Sequence, residues 1–209
     1  MKLIFIRHGE TLWNREFRMQ GVSDVALSEV GVRQSAALAR GFKWQIDKIF
    51  TSPLDRAVSF AKPLASRFKL TPEIIPELRE MSFGRWEGLR YADMDDEMKK
   101  GFEEWCVDPV NVCPPEGEAA ADMGERVRAA VDKISQTLGE DETAAVVTHG
   151  GLIRVAVTLL LELPPVTAAR MQIETGSATI LEYVAGYWSL VKLNDTCHLQ
   201  ENGEEKGGL

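Results

Sequence analysis

Apolar and polar positions along the chain follow two alternating rhythms. The short runs Leu3-Ile4-Phe5-Ile6, Lys48-Ile49-Phe50-Thr51 and Ala144-Ala145-Val146-Val147 have the length and β-type content of buried strands. Between them lie longer segments with apolar residues at three- and four-residue steps. Ser28 to Gly41 and Pro53 to Phe68 read as helices, and Met123, Val127, Val131, Ile134 and Leu138 mark one face of a long amphipathic helix stopped by Gly139. Leu152 to Leu161 predicts a buried helix, and Ala178 to Val184 with Tyr187 to Leu193, joined across Ala185-Gly186, a terminal hairpin. Strands alternating with helices predict an α/β protein: a three-layer α/β/α sandwich, its central sheet mostly parallel with an antiparallel edge.

Composition narrows the classes. At 209 residues, 44% apolar and 27% charged, the chain suits a single domain over residues 1–201, with no internal repeat or linker and a Gly- and Glu-rich flexible tail at 202–209. A net charge of −8 argues against broad binding to nucleic acid or to an anionic membrane. The apolar run at the N-terminus is interrupted by Arg7 and His8, unlike a signal peptide. The stretch from Val155 to Leu163 is too short to span a bilayer and is broken by Glu162 and Pro164, so a cytoplasmic protein is expected. Cys106, Cys113 and Cys197 are odd in number and lack metal-ligand spacing, which predicts free thiols, with a Cys106–Cys113 disulfide as the alternative. The oligomeric state stays open between monomer and homodimer.

Candidate chemistry gathers where strands end. Arg7-His8-Gly9-Glu10 directly follows the first apolar run, and Thr148-His149-Gly150-Gly151 follows the third, so two of the three histidines end strands. In open α/β sheets ligands bind outside the carboxyl ends of strands, which predicts one shared site. After the second run, Ser52 is placed to cap a helix, Pro53 to occupy its first position and Asp55 to complete a capping-box-like pair. Arg56 then joins a positive helix end that favours a phosphate or carboxylate. His8, His149 and a carboxylate could also form a metal set, but Arg7 and Arg56 beside them oppose a divalent cation. The plainer alternative for His149 is a hydrogen-bonded core histidine.

Arg7-His8-Gly9-Glu10-Thr11 with Trp13-Asn14, Gln20-Gly21, the Ser52-to-Arg56 segment, Glu80 four residues before Gly84, and His149-Gly150 occur in order between Leu3 and about Leu199. In this the chain resembles the histidine phosphatase superfamily, in its phosphoglycerate-mutase-like branch. The resemblance implies that His8 is the nucleophile, forming a phosphohistidine that water hydrolyses, with its other ring nitrogen bonded to a backbone carbonyl. It further implies that Arg7, Arg56 and a protonated His149 surround the phosphoryl oxygens, that Asn14, Gln20, Gly21 and Gly150 bind substrate, and that Glu80 is the general acid and base. Glu77, Glu87 and Asp55 occupy structural positions of the family. No metal or cofactor is implied, and the partner is a small phosphorylated metabolite.

Cofactor-dependent mutases of the superfamily are usually longer, carry a tryptophan where this chain has Gln20-Gly21-Val22, and have an insertion that holds a second phosphate. The compact chain lacks these marks, so a phosphatase is expected and a phosphoglycerate mutase is the alternative. The segments Pro76 to Glu87, Glu104-Trp105-Cys106 and Pro114 to Glu118 resemble the α-ribazole phosphatases of cobalamin assembly, while Lys192 to Leu199 is similar to metal-independent phosphoserine and broad-specificity phosphatases. A non-catalytic phospho-ligand sensor is the alternative of another class; the joint presence of Arg7, His8, Arg56, Glu80 and His149 favours turnover.

Residues 84–118 are expected to form a lid-like helical insertion. Its Trp86, Tyr91, Met94, Met98, Phe102 and Trp105 would contact an apolar leaving group or simply pack, two readings left open. Asp93, Asp95, Asp96, Lys99 and Lys100 read as a solvated helix face. His198 would touch a substrate carboxylate or pack near the chain end, and packing is favoured.

Overall fold

The computed structural model of the protein describes residues 1–199, so the tail expected at 202–209 lies outside the described residues. Strand β1 (Lys2–Arg7) sits inside a six-stranded sheet, parallel to β4 (Thr143–Thr148) on one side and antiparallel to β5 (Ala178–Val184) on the other. Beyond β4 come β2 (Lys48–Thr51) and β3 (Glu73–Ile74), both parallel, and beyond β5 the antiparallel edge strand β6 (Tyr187–Asp195), giving the order β3-β2-β4-β1-β5-β6.

The apolar runs are unbroken because the strands bury both faces. Ile4, Ile6, Ile49, Ala145 and Val147 face α2 (Glu29–Gly41) and α3 (Asp55–Phe68), through Leu38, Phe60 and Leu64 among others. Leu3, Phe5, Phe50, Ala144 and Val146 face α5 (Ala120–Gln136) and α6 (Gly150–Leu160), through Val127, Ile134, Leu152 and Ala156. Two cores on opposite faces of one sheet make the three-layer sandwich.

Local chemistry sets the element boundaries. Ser28 caps α2, its Oγ accepting the Gly31 N–H at 3.1 Å. The expected Ser52 cap of the next helix is a correction: α3 begins at Asp55, two residues beyond Pro53, and Leu54 at its N-cap makes no side-chain bond. Ser52 Oγ lies 2.7 Å from the ring of His149 and accepts from Leu54 N only at 3.3 Å. The free Asp55 N–H donates instead to Asp24 Oδ1 at 3.0 Å, and the Asp55 carboxylate accepts from Ser59, so no capping box forms. α5 ends at Gln136 rather than Gly139, because Thr137 Oγ1 donates back to the Ile134 carbonyl at 2.8 Å and closes the last turn early.

A short helix α1 (Leu12–Arg15) follows the first strand. Residues 84–118 contain two 3-10 turns and α4 (Asp96–Val107), whose first turn is capped by Asp95 accepting from Met98 N at 2.8 Å. Its aromatics divide. Trp86 and Met94 are buried, Trp86 meeting Phe102 edge-on at 5.5 Å, whereas Tyr91 is exposed and Trp105 stands edge-on to Phe83 at 5.6 Å. The three cysteines are free and exposed. No helix among the described residues is long and apolar enough to cross a membrane. His198 packs against Gly41 and bonds the Gly176 carbonyl at 2.8 Å.

Candidate active site

Parallel pairing delivers the two strand-end histidines side by side. Arg7 is registered with Thr148, and the His8 N–H donates to the Thr148 carbonyl at 2.9 Å. On the other side of β4, Thr51 is registered with Val147, and the Ser52 N–H donates to the Val147 carbonyl at 3.0 Å. His8, His149 and Ser52 therefore stand in one row across the carboxyl ends of three adjacent strands. The two imidazoles lie edge to face with ring centroids 5.1 Å apart, close to the spacing of the strands that carry them.

His8 is buried, and its Nδ1 lies 2.7 Å from the Gly9 carbonyl. A carbonyl only accepts, so Nδ1 carries the proton and Nε2 keeps its lone pair. Burial first, then the cationic Arg56 and Arg7, hold the ring well below the ordinary histidine range despite the Gly9 bond. His149 is held low in the same way, by burial and then by His8, Arg56 and Arg7. These influences favour the neutral ring over the imidazolium. Arg56 Nε lies 3.3 Å from His149 Nδ1, and His149 Nε2 shares a hydrogen bond with Ser52 Oγ at 2.7 Å.

Arg56 is fully buried and held in place on three sides. Nη1 donates to the Ser23 carbonyl at 2.7 Å and Nη2 to the Gly21 carbonyl at 2.6 Å. The Gln20 amide, oriented by its neighbours, accepts from Arg56 Nε at 2.6 Å while its nitrogen donates to Thr11 Oγ1 at 2.5 Å. Burial lowers the Arg56 guanidinium to about 10, opposed by Glu80, Asp24 and Glu87, and it stays charged at neutral pH. Gly21 adopts φ +56°, and a Cβ there would fall 2.1 Å from Glu87 Oε1. Glu87 ties the loop to its neighbour, accepting from Ser23 N at 2.9 Å and from Phe83 N at 3.0 Å.

Arg7 donates from Nη1 to the Ile173 carbonyl at 2.6 Å; its Nε is buried without a partner, and burial lowers its pKa. Gly150 makes room for it, since a Cβ at that position would come 3.3 Å from Arg7 Nε. Glu80 reaches the start of α6, where Oε2 accepts the Gly151 N–H at 3.0 Å and Oε1 the Met81 N–H at 3.0 Å. Each oxygen keeps a further lone pair. Asn14 Oδ1 accepts from Thr11 N at 3.1 Å in a capping box.

These groups border a cavity of about 910 Å³. Arg7, His8, Asn14, Gln20, Gly21, Arg56, Glu80 and Gly150 all line it, while His149 is enclosed next to His8 and His198 is not on its wall. Apolar side chains, among them Met81, Phe83, Trp105, Met123 and Leu159, form much of the remainder. Among the described residues, no group of three or more His, Cys, Asp or Glu side chains is placed to hold a metal ion.

Three contributors escape the sequence reading: Ser52 as a partner of His149, Thr11 as the link between Asn14 and Gln20, and Arg154 on the cavity wall. Arg154 had a signal, being the one charged residue between Leu152 and Leu161. Its Nε is buried without a partner, and its charge lowers the pKa of Arg7.

The family model of the histidine phosphatase superfamily (branch 1) matches residues 3–196. "Probable phosphoglycerate mutase GpmB" of Yersinia pestis is 32% identical, with 95% of each chain covered. Among solved structures, a mycobacterial glucosyl-3-phosphoglycerate phosphatase in complex with VO3 is 32% identical at a TM-score of 0.86, covering 93% of this chain and 99% of its own. The α-ribazole phosphatase of Shigella flexneri is 27% identical at a TM-score of 0.85, covering 93% and 96%. With its family model matched over nearly the whole chain and its fold shared with these enzymes, the protein belongs to the histidine phosphatase superfamily.

Proposed function

We propose that the protein is a phosphatase of small phosphomonoesters that works through a phosphohistidine on His8. The observation that carries this reading is the His8 ring: its proton is fixed on Nδ1 by the Gly9 carbonyl, leaving a neutral, unprotonated Nε2 in a cavity bordered by Arg7 and Arg56. Nε2 attacks phosphorus, the ester P–O bond breaks, and protonated Glu80 gives its proton to the departing alcohol oxygen. Glu80 then takes a proton from water, whose oxygen displaces His8 and releases phosphate. Arg7 and Arg56 hold the equatorial charge, and an arriving dianion draws a proton onto the adjacent His149.

The test is phosphate release by the metal-free protein, with acid-labile, alkali-stable labelling of the chain by radioactive substrate. His8→Ala abolishes both and leaves the fold intact. Undiminished release would overturn the mechanism.

For the leaving group, α-ribazole 5′-phosphate is the first reading, supported by a roomy cavity walled by Phe83, Trp105 and Met123 and by the Shigella relative. Arg154 favours a second reading, an ester that carries a carboxylate, such as phosphoserine. A panel of α-ribazole 5′-phosphate, phosphoserine, 3-phosphoglycerate and an aryl phosphate separates them. A preference of about a hundredfold, ~3 kcal/mol in kcat/KM, identifies the substrate class. Interconversion of 2- and 3-phosphoglycerate outpacing phosphate release would point to a mutase.

A further inference from the structure

Glu80 lies on a stretch, residues 80–83, that has no helix or strand to hold it. A general acid must nevertheless be placed to within a fraction of an ångström of the departing oxygen. The carbonyls leading into it are taken one after another. Thr148 Oγ1 donates to the Leu78 carbonyl at 2.7 Å, and the other three belong to a single side chain. Arg126 of α5 donates from Nη1 to the carbonyls of Glu77 at 2.8 Å and Arg79 at 2.7 Å, and from Nη2 to that of Glu80 at 3.2 Å. The guanidinium is itself fixed by Glu118, which accepts from Nε at 2.6 Å and from Nη2 at 2.7 Å, both side chains being only 10% exposed. A planar fork with five donors is needed to meet three carbonyls and a carboxylate at once; an ammonium group cannot.

We propose that Arg126, locked by Glu118, is the positioning residue of Glu80, setting the acid against the leaving-group oxygen. The inference rests on the reading of Glu80 as general acid. It predicts that loss of the clamp acts chiefly through proton donation, because Arg126 is not on the cavity wall, the phosphate-facing groups Arg7, Arg56 and His8 are held by other bonds, and the Arg126 charge is the smallest of the influences on His149.

The experiment compares glycerol 3-phosphate, an alkyl ester whose oxygen must be protonated as it leaves, with 4-nitrophenyl phosphate, whose phenolate leaves unaided. The quantity read is kcat/KM, which covers the steps through phosphohistidine formation and excludes its hydrolysis. Arg126→Met lowers kcat/KM at least ~30-fold on the alkyl ester, a large part of the 10²–10⁴ typical of general acid catalysis, and less than about threefold on the aryl ester. Arg126→Lys rescues little, and Glu118→Gln gives the same order of effects with smaller size. Adding any of them to Glu80→Gln brings no further loss on the alkyl ester, since the two act through one group.

Equal loss on both esters, loss confined to the aryl ester, or no loss overturns the proposal. If Arg126→Met does not fold, Glu118→Gln, which keeps the shape but only one of the two acceptors for the guanidinium, decides on the same criteria. Glu80→Gln alone is the control for the underlying reading. If it shows no leaving-group selectivity, general acid catalysis by Glu80 falls; if it is selective and the clamp variants are not, only the clamp falls.

Discussion

The proton of His8 is placed by a carbonyl one residue away, whereas its charge is suppressed by burial and two arginines, and these two influences have separate consequences. The second links activity to stability. An unfolded histidine takes up a proton below about 6.5, while folded His8 and His149 stay neutral well below that value. In the window beneath 6.5 the unfolded chain therefore binds more protons than the folded one, and acid favours unfolding. The contribution is fully present above the unfolded value and falls away below it, by up to about 1.4 kcal/mol per pH unit for each histidine. In phosphate-free buffer we expect Tm to be level above pH 7 and to drop between pH 6.5 and 5, with a shallower drop in the His8→Asn, His149→Gln double variant. A Tm that rises towards pH 5 would mean that both rings are charged in the native protein. For Arg56→Ala we expect kcat/KM on an aryl phosphate to fall about a hundredfold, ~3 kcal/mol, since a buried donor to the developing charge is lost. Arg56→Lys gives little recovery, because one ammonium cannot replace bonds to Gly21, Ser23 and Gln20 together.

Between elements, the sheet register decides what meets what. The runs ending at Arg7, Thr51 and Thr148 are legible as strands because each has an unbroken apolar centre and is bounded by polar, Gly- or Pro-containing segments. Once they are parallel neighbours, His8, Ser52 and His149 fall into line. Side-chain choices between a local and a distant partner are not legible in this way. Ser52 looks like a helix cap from its own neighbours, yet its hydroxyl faces His149, 97 residues along the chain. The link from Thr11 through Gln20 to Arg56 is hidden for the same reason, and Arg154 is masked by the apolar helix around it. The loop from Gln20 to Ser23 shows how tightly elements can be coupled. Gly21 supplies both a carbonyl for Arg56 and a left-handed backbone beneath Glu87. For Gly21→Ala, strain at φ +56° and the approach to Glu87 predict a loss of about 1–3 kcal/mol by urea unfolding and a lowered kcat. Unchanged stability would show that the loop can shift away from Glu87 without cost.

At the scale of the whole molecule, sheet and helices fix the reacting groups while residues 84–118 add Trp105, Pro109 and Val110 to one part of the cavity wall. We propose that this insertion serves as the lid, and its aromatics give that idea a test. Trp86 is enclosed within the insertion, packed on Phe102, and its removal disturbs folding for every substrate alike. Trp105 differs: it borders the cavity together with Phe83, and its indole N–H is buried without a partner. A ring-bearing leaving group would meet that face, whereas a three-carbon leaving group would make little use of it. Trp105→Ala should therefore lower kcat/KM on α-ribazole 5′-phosphate up to about tenfold, the ~1 kcal/mol scale of an aromatic pair, and on glycerol 3-phosphate by less than twofold. Trp105→Phe should keep most of the activity on the larger ester, because stacking needs a ring rather than a hydrogen-bond donor. If both esters lose equally on Trp105→Ala, the residue acts as packing beneath α4, and specificity for the leaving group must come from the arginine side of the cavity, where Arg154 stands.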